Sequence, residues 1–186
     1  MNAAFEVIKN RYSCRNFGER QVPNEDLELL AESAVRAPSG RNLQPWHIIV
    51  VRDRELIAGM DAATMSYLAA QEDQAAYQRI LGRGGKVFYN AGAMIFIMID
   101  PKDHLASAMD CGIVVENIAL AATGLGIDNV ICGMAAFVFE SDNAEHFKET
   151  LKIPAGFIFG TSILLGYAPE KGTQHEPDFS KIHYIG

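Results

Sequence analysis

Two short stretches carry side chains whose types and spacing could do chemistry. Arg11-Tyr12-Ser13-Cys14-Arg15-Asn16-Phe17 puts Arg11, Ser13 and Arg15 at alternate positions, and an extended backbone sends alternate side chains to one side. Two guanidinium forks and a hydroxyl then face one place. Such a trio suits a phosphate or another delocalised anion, because arginine donates in a planar, bidentate geometry and keeps its charge. The same spacing also occurs on solvated basic faces. The second stretch, Ala37 to Trp46, reads Ala-Pro-Ser-Gly-Arg-Asn-Leu-Gln-Pro-Trp. Its prolines, glycine and small polar residues keep much of the backbone out of helix or sheet ladders, so those groups need other partners, a polar ligand among them. An ordinary helix-to-strand loop is the alternative.

The rest of the chain must position these stretches. With 186 residues, 49% apolar and 21% charged, it is of single-domain size with enough apolar material for a core, and residues 1–186 read as one domain. A net charge of −7 and no Lys/Arg run argue against a nucleic-acid partner. Cys14, Cys111 and Cys132 are scattered and unpaired, and the five histidines show no metal-ligand spacing, so neither a disulfide frame nor a metal site is expected. The N-terminus carries Glu6 without a long apolar region, and the longest apolar run, Ala91 to Ile99, is too short for a bilayer. No signal peptide and no membrane span are expected, and the cytoplasm is the default location.

Periodicity predicts a short helix over Ala3–Asn10 and a second from Pro23-Asn24, with Asn24 as N-cap, Glu25 and Asp26 in the first turn, and Leu27, Leu30, Ala31 and Ala34 on one face. His47–Val51 reads as a strand. Asp53 opens a helical region that breaks near Glu72-Asp73 and runs to about Leu81. Ala93–Ile99 is a strand buried on both faces, Ala106–Thr123 a long helix apolar almost all round, and Asp128–Ile131 and Phe157–Leu165 are further strands. Asp142 and Glu145 form a candidate capping box. Two glycine-rich candidates fail as nucleotide loops. Val87 follows Lys86 where a Walker loop needs Ser or Thr, and Val87 and Asn129 stand where G-x-G-x-x-G needs its third glycine. The long helix needs more cover than one sheet gives. A dimer interface, with Gly112, Ala119 and Ala122 admitting a second helix, competes with a central helix in a monomer. Phe179, Ile182, Tyr184 and Ile185 suggest that the tail docks on something.

Read together, Arg11-x-Ser13-x-Arg15-x-Phe17, Ala37-Pro38-Ser39-Gly40-x-Asn42-x-Gln44-Pro45-Trp46, Gly124-Leu125-Gly126-Ile127-Asp128 and Ile131-Cys132-Gly133 resemble the FMN-dependent nitroreductase family in order and over nearly the whole chain. The resemblance implies an α+β, sandwich-like fold with a central, mostly antiparallel sheet flanked by helices, in an intertwined homodimer. It implies that Arg11, Ser13 and Arg15 hold the phosphate, ribityl chain and pyrimidine edge of FMN, where a cation favours the anionic reduced flavin. It brings Pro38, Ser39, Gly40 and Asn42 from the partner subunit, and sets Cys132 and Gly133 where a backbone N–H approaches flavin N5. The family uses the backbone there, so Cys132 is not read as a catalytic thiol, and Cys14 and Cys111 read as packing residues. Trp46 reads as a core anchor and Gln44 as a loop orienter.

The implied activity is ping-pong hydride transfer from NADH or NADPH through flavin N5 to nitroaromatics, quinones or similar acceptors. Within the superfamily, reductive dehalogenation or oxygen-dependent flavin chemistry is the alternative, and a flavin storage or sensor module is a third reading. Two departures stand out. Many relatives carry a basic pair near the C-terminus, where the region Pro169–Pro177 offers only Lys171 as a phosphate contact. The chain is also too short after Asp100 for a helical insertion over the flavin, leaving an open pocket or one closed by Ser66–Gly85.

Overall fold

Every residue from Ala93 to Ile99 is buried, and the fold follows from covering both faces of that strand. In the computed structural model, which describes residues 2–186 and only the backbone of residues 103–106, it is β2, the inner strand of a four-stranded antiparallel sheet. Its neighbours are β1 (Trp46–Val51) and β4 (Ile158–Gly166), and β3 (Asp128–Ile131) lies on the outer side of β4, giving the order β1-β2-β4-β3. Alternation divides the core in two. Met94, Phe96 and Met98 face one layer, while Ala93, Ile95, Ile97 and Ile99 face the other.

The second layer is roofed by α5 (His104–Gly124) with α2 (Asn24–Val35) beside it. The first is roofed by α3 (Arg54–Ala69), a 3-10 segment at Gly133–Phe139 and α6 (Ala144–Thr150). The short helices α1 (Ala3–Asn10) and α4 (Ala75–Leu81) complete the set. Asp53 caps α3 as its type predicts, accepting the N–H of Glu55 and Leu56 at 2.9 and 3.1 Å. Among the described residues no helix is long and apolar enough to cross a membrane.

Three expectations need correction. Pro23 is the N-cap of α2, and the Asn24 carboxamide oxygen accepts instead from Arg52. Asn143 is the N-cap of α6 without a side-chain bond, so the Asp142/Glu145 box does not form. On α5, Ala119 and Ala122 are packed into their own core, whereas Met109, Gly112 and Ile113 form the exposed stripe. The tail's Phe179, Ile182, Tyr184 and Ile185 are exposed, the last two at 87% and 93%. Within the protomer none of them is buried by the described residues.

The β2–β4 register slips at Ile97/Met98, opposite Gly160. A Cβ at Gly160 would lie 2.8 Å from Cys111 Sγ and Ile99 Cγ2 and 2.9 Å from the Ile97 carbonyl oxygen. Gly160→Ala should therefore destabilise the fold by about 1–3 kcal/mol, seen as a lower urea midpoint. In a Cys111→Ala background the cost should shrink. A wild-type midpoint for Gly160→Ala would contradict this packing.

Candidate functional site

The Arg11–Arg15 stretch runs alongside β3. A parallel bridge joins Ser13 to Asn129, and the Cys14 N–H donates to the Asn129 carbonyl at 2.9 Å. Bridge partners share a face. Asn129 turns its side chain towards α5, donating to the Ala119 carbonyl at 3.2 Å and the Thr123 hydroxyl at 3.2 Å. Ser13 lies on that side, and alternation puts Arg11 and Arg15 there with it. Tyr12 and Cys14 face the other way, Cys14 into the core. Arg15 folds back so that Nη1 is 3.4 Å from the Ser13 carbonyl oxygen. Among the described residues neither guanidinium is paired with a carboxylate.

Beyond β3 the chain turns sharply at Cys132 and Gly133. Buried Ser162 fixes this turn twice: its carbonyl accepts the Cys132 N–H and its hydroxyl donates to the Cys132 carbonyl, both at 2.8 Å. Gly133 opens the 3-10 segment, so its amide has no acceptor within that turn. A Cβ at Gly133 would meet nothing within 4 Å. The protomer leaves open space there. Burial pushes the Cys132 thiol up to about 11, and Cys111 likewise, while Cys14 is raised mainly by the same cause. Cys132 is a neutral thiol at pH 7, without the thiolate that nucleophilic chemistry needs.

The Pro38–Asn42 loop lies elsewhere. Gly40 N–H donates to Asp110 Oδ1 at 3.3 Å, near the start of α5, whereas Val7 of α1, the helix that leads into the arginine stretch, meets the far end of α5 at Gly124. Those two positions on α5 are about 20 Å apart. One protomer thus sets Arg11, Ser13 and Arg15 on one side of the edge of β3, the strand that leads into Cys132 and Gly133, and holds Pro38, Ser39, Gly40 and Asn42 towards the other end of α5. The loop itself is firmly shaped. Arg41, Asn42 and Gln44 all have positive φ (55°, 56° and 48°), a conformation that costs non-glycine residues about 1 kcal/mol or more each. Ser39 Oγ accepts the Gln44 N–H at 2.9 Å, and Gln44 Nε2 donates to Asn42 Oδ1 at 3.1 Å. Gln44 orients the loop, and Trp46 anchors it in the core.

Lys171 lies on the back of the arginine stretch. Its ammonium donates to buried Asp128 Oδ1 at 2.5 Å and stands 6.0 Å from the centre of the Tyr12 ring. Tyr12, Thr123, Asp128, Asn129 and Lys171 line a cavity of about 280 Å³ between the arginine stretch and the end of α5. Two buried acids escaped the sequence reading. Asp128 resembled an ordinary strand-start residue. Asp61 of α3 could have been noticed as an acid within the apolar spacing Ile57, Met60, Thr64 and Leu68. Its Oδ1 accepts the Phe88 N–H at 2.7 Å, and its Oδ2 is 3.9 Å from Lys86 Nζ. Phe88 leads into a turn where Tyr89 and Asn90 have positive φ, and the Tyr89 carbonyl accepts the Phe17 N–H at 3.1 Å. Asp61 thereby supports the downstream end of the arginine stretch.

The model of a family described as the nitroreductase family matches residues 8–167. A protein of Archaeoglobus fulgidus, provisionally named NADH dehydrogenase/NAD(P)H nitroreductase, is 32% identical over 182 residues, spanning 96% of this chain and 92% of its own. The crystal structure of a nitroreductase with bound FMN from Desulfitobacterium hafniense DCB-2 has a TM-score of 0.96 at 46% identity, covering 100% of both chains. A nitroreductase with bound FMN from Bacteroides fragilis NCTC 9343 has a TM-score of 0.89 at 24% identity, again over 100% of both chains, a likeness of fold.

Burial raises the Asp61 carboxyl above its ordinary value, outweighing the Phe88 amide and Lys86, which lower it. The native state therefore holds the Asp61 proton more tightly than the unfolded chain does. Its stability contribution is greatest at low pH and is lost as pH rises from about 4 through the raised value. Asp61→Asn keeps an oxygen for the Phe88 N–H and should remove this loss. Melting curves from pH 4 to 7 should show wild type losing ground to the variant as pH rises. A constant difference would contradict the raised carboxyl.

Proposed function

The chain belongs to the nitroreductase family, and from that premise we propose that it is an FMN-dependent oxidoreductase. It takes hydride from NADH or NADPH and delivers it to nitroaromatics, quinones or similar acceptors, donor and acceptor occupying one place in ping-pong order. The observation that carries this reading is the trio of Arg11, Ser13 and Arg15 on one side of the edge of β3, with no carboxylate paired to either guanidinium among the described residues. In a chain of net charge −7, such a pair makes a local positive field that a phosphate-bearing, anion-forming cofactor would answer. The residues present fit FMN.

Bound FMN supplies the centre that accepts and donates hydride. The protein's part is to hold and tune. Arg11 and Ser13 would grip the phosphate and ribityl chain, and Arg15 would lie at the pyrimidine edge, where its charge favours the reduced anion. The Gly133 amide would donate towards N5 from a turn that Ser162 stiffens, and Cys132 would contribute backbone alone. No side-chain nucleophile is required, in keeping with a Cys132 thiol raised to about 11.

Pro38, Ser39, Gly40 and Asn42 would complete the site from a second copy packed in the opposite sense, because about 20 Å of α5 separates them from the arginine stretch within one protomer. The exposed stripe of Met109, Gly112 and Ile113 and the apolar tail support a homodimer. Three buried free cysteines suit the reducing cytoplasm.

Purified protein supplied with FMN should show oxidised-flavin absorption, bleach anaerobically with NADH or NADPH, and recover its colour with a nitroaromatic or quinone. Refusal of FMN would overturn the reading, and bands that never bleach would leave a storage or sensor module. Arg15→Ala, at an exposed position, should lower FMN occupancy or the flavin potential while the apoprotein melts as before.

A further inference from the structure

Residues 166–172 lie across the back of the arginine stretch, running opposite to it. A Cβ at Gly166 would fall 2.8 Å from Phe17 Cδ1. The Gly18 N–H donates to the Tyr167 carbonyl at 2.8 Å, and the Arg20 guanidinium lies 3.8 Å from the centre of the Tyr167 ring. At the far end a Cβ at Gly172 would fall 2.7 Å from Tyr12 Cε2. Only glycine lets the strap approach the ring so closely.

One buried carboxylate closes this strap. Asp128 Oδ2 accepts the Ala168 N–H at 2.8 Å, and Oδ1 accepts Lys171 Nζ at 2.5 Å. The Asp128 side chain is only 4% exposed and that of Lys171 66%, so removing the lysine would leave a buried charge short of a partner. Asp128 directly precedes Asn129, which carries the bridge to Ser13. Tyr12, trapped between strap and strand, sits between Arg11 and Ser13 in the chain.

We propose that Asp128 and Lys171 are positioning residues for the flavin: their ion pair locks residues 166–172 behind Tyr12 and so fixes the direction of Arg11, Ser13 and Arg15. This rests on the flavin reading above. Lys171 then acts from behind the cradle, and its contribution does not depend on the cofactor's phosphate.

The test is fluorescence titration of the refolded apoprotein with FMN and with riboflavin, which lacks the phosphate. Lys171→Met and Asp128→Asn should each weaken both flavins about tenfold, and the double variant should be no worse than the more damaging single, as coupled partners require. Lys171→Arg, which can still pair with Asp128, should recover most of the affinity. Hydrogen exchange at the Cys14 amide should quicken in the two weakened variants, while urea midpoints separate this local loosening from global unfolding. Loss of FMN but not riboflavin binding in Lys171→Met, with Asp128→Asn at wild-type affinity, would overturn the latch in favour of a direct phosphate contact. Wild-type binding in both variants would overturn it outright. A wild-type protein that binds neither flavin would defeat the functional reading instead, and Cys14 exchange in Asp128→Asn would still decide the latch: quickened exchange supports it and unchanged exchange overturns it.

Discussion

Register along the edge of β3 is the constraint on which the candidate site depends. A slip of one residue between the Arg11–Arg15 stretch and β3 would send every side chain to the opposite face. Tyr12 and Cys14 would then face outward, while two guanidiniums entered the core. The single bridge at Ser13–Asn129 is too little to hold register alone. Cys14 and Phe17 hold it by occupying the core, and Gly166 and Gly172 hold it by admitting Phe17 and Tyr12 where any side chain would collide. The polar face is thus fixed by apolar packing on the other side.

The second organising quantity is the length of α5. Its 21 residues carry the Pro38–Asn42 loop near one end and the arginine stretch at the other. Apolar residues cover much of its surface: Val114, Ile118 and Ala122 meet the sheet, while Met109 and Ile113 remain open. In the proposed dimer the same helix separates the two half-sites within a copy and joins them between copies.

Local periodicity made much of this readable in advance. The run Ala93–Ile99 read as a strand buried on both faces, Asp53 could cap a helix within three residues of itself, and the alternation of Arg11, Ser13 and Arg15 needed only an extended backbone. What escaped the sequence depends on groups far away in the chain. Asn24 looked like a cap, but Arg52 engages its side chain. Lys171 was the one lysine or arginine of the Pro169–Pro177 region, and its pairing with a carboxylate 43 residues away could not be read from its neighbours. Ala119 and Ala122 are small enough to admit a second helix, yet only the sheet's position shows that they face inward. Asp61 is an acid on a helix until Phe88 arrives to bond with it.

The three left-handed residues of the Pro38–Asn42 region have a bearing on how two copies would meet. Their conformation is held by bonds within the loop, from Ser39 to Gln44 and from Gln44 to Asn42, so its backbone entropy is already lost before association. The tail is the opposite case. Its apolar side chains stand exposed, and holding them against another surface would cost about 0.5–1.5 kcal/mol for each one immobilised. In the assembly proposed here, the loop would dock as a preformed rigid body with little further ordering, and tail wrapping would follow as a slower step. The encounter rate and the residence time of the pair would then reside in different segments of the same chain.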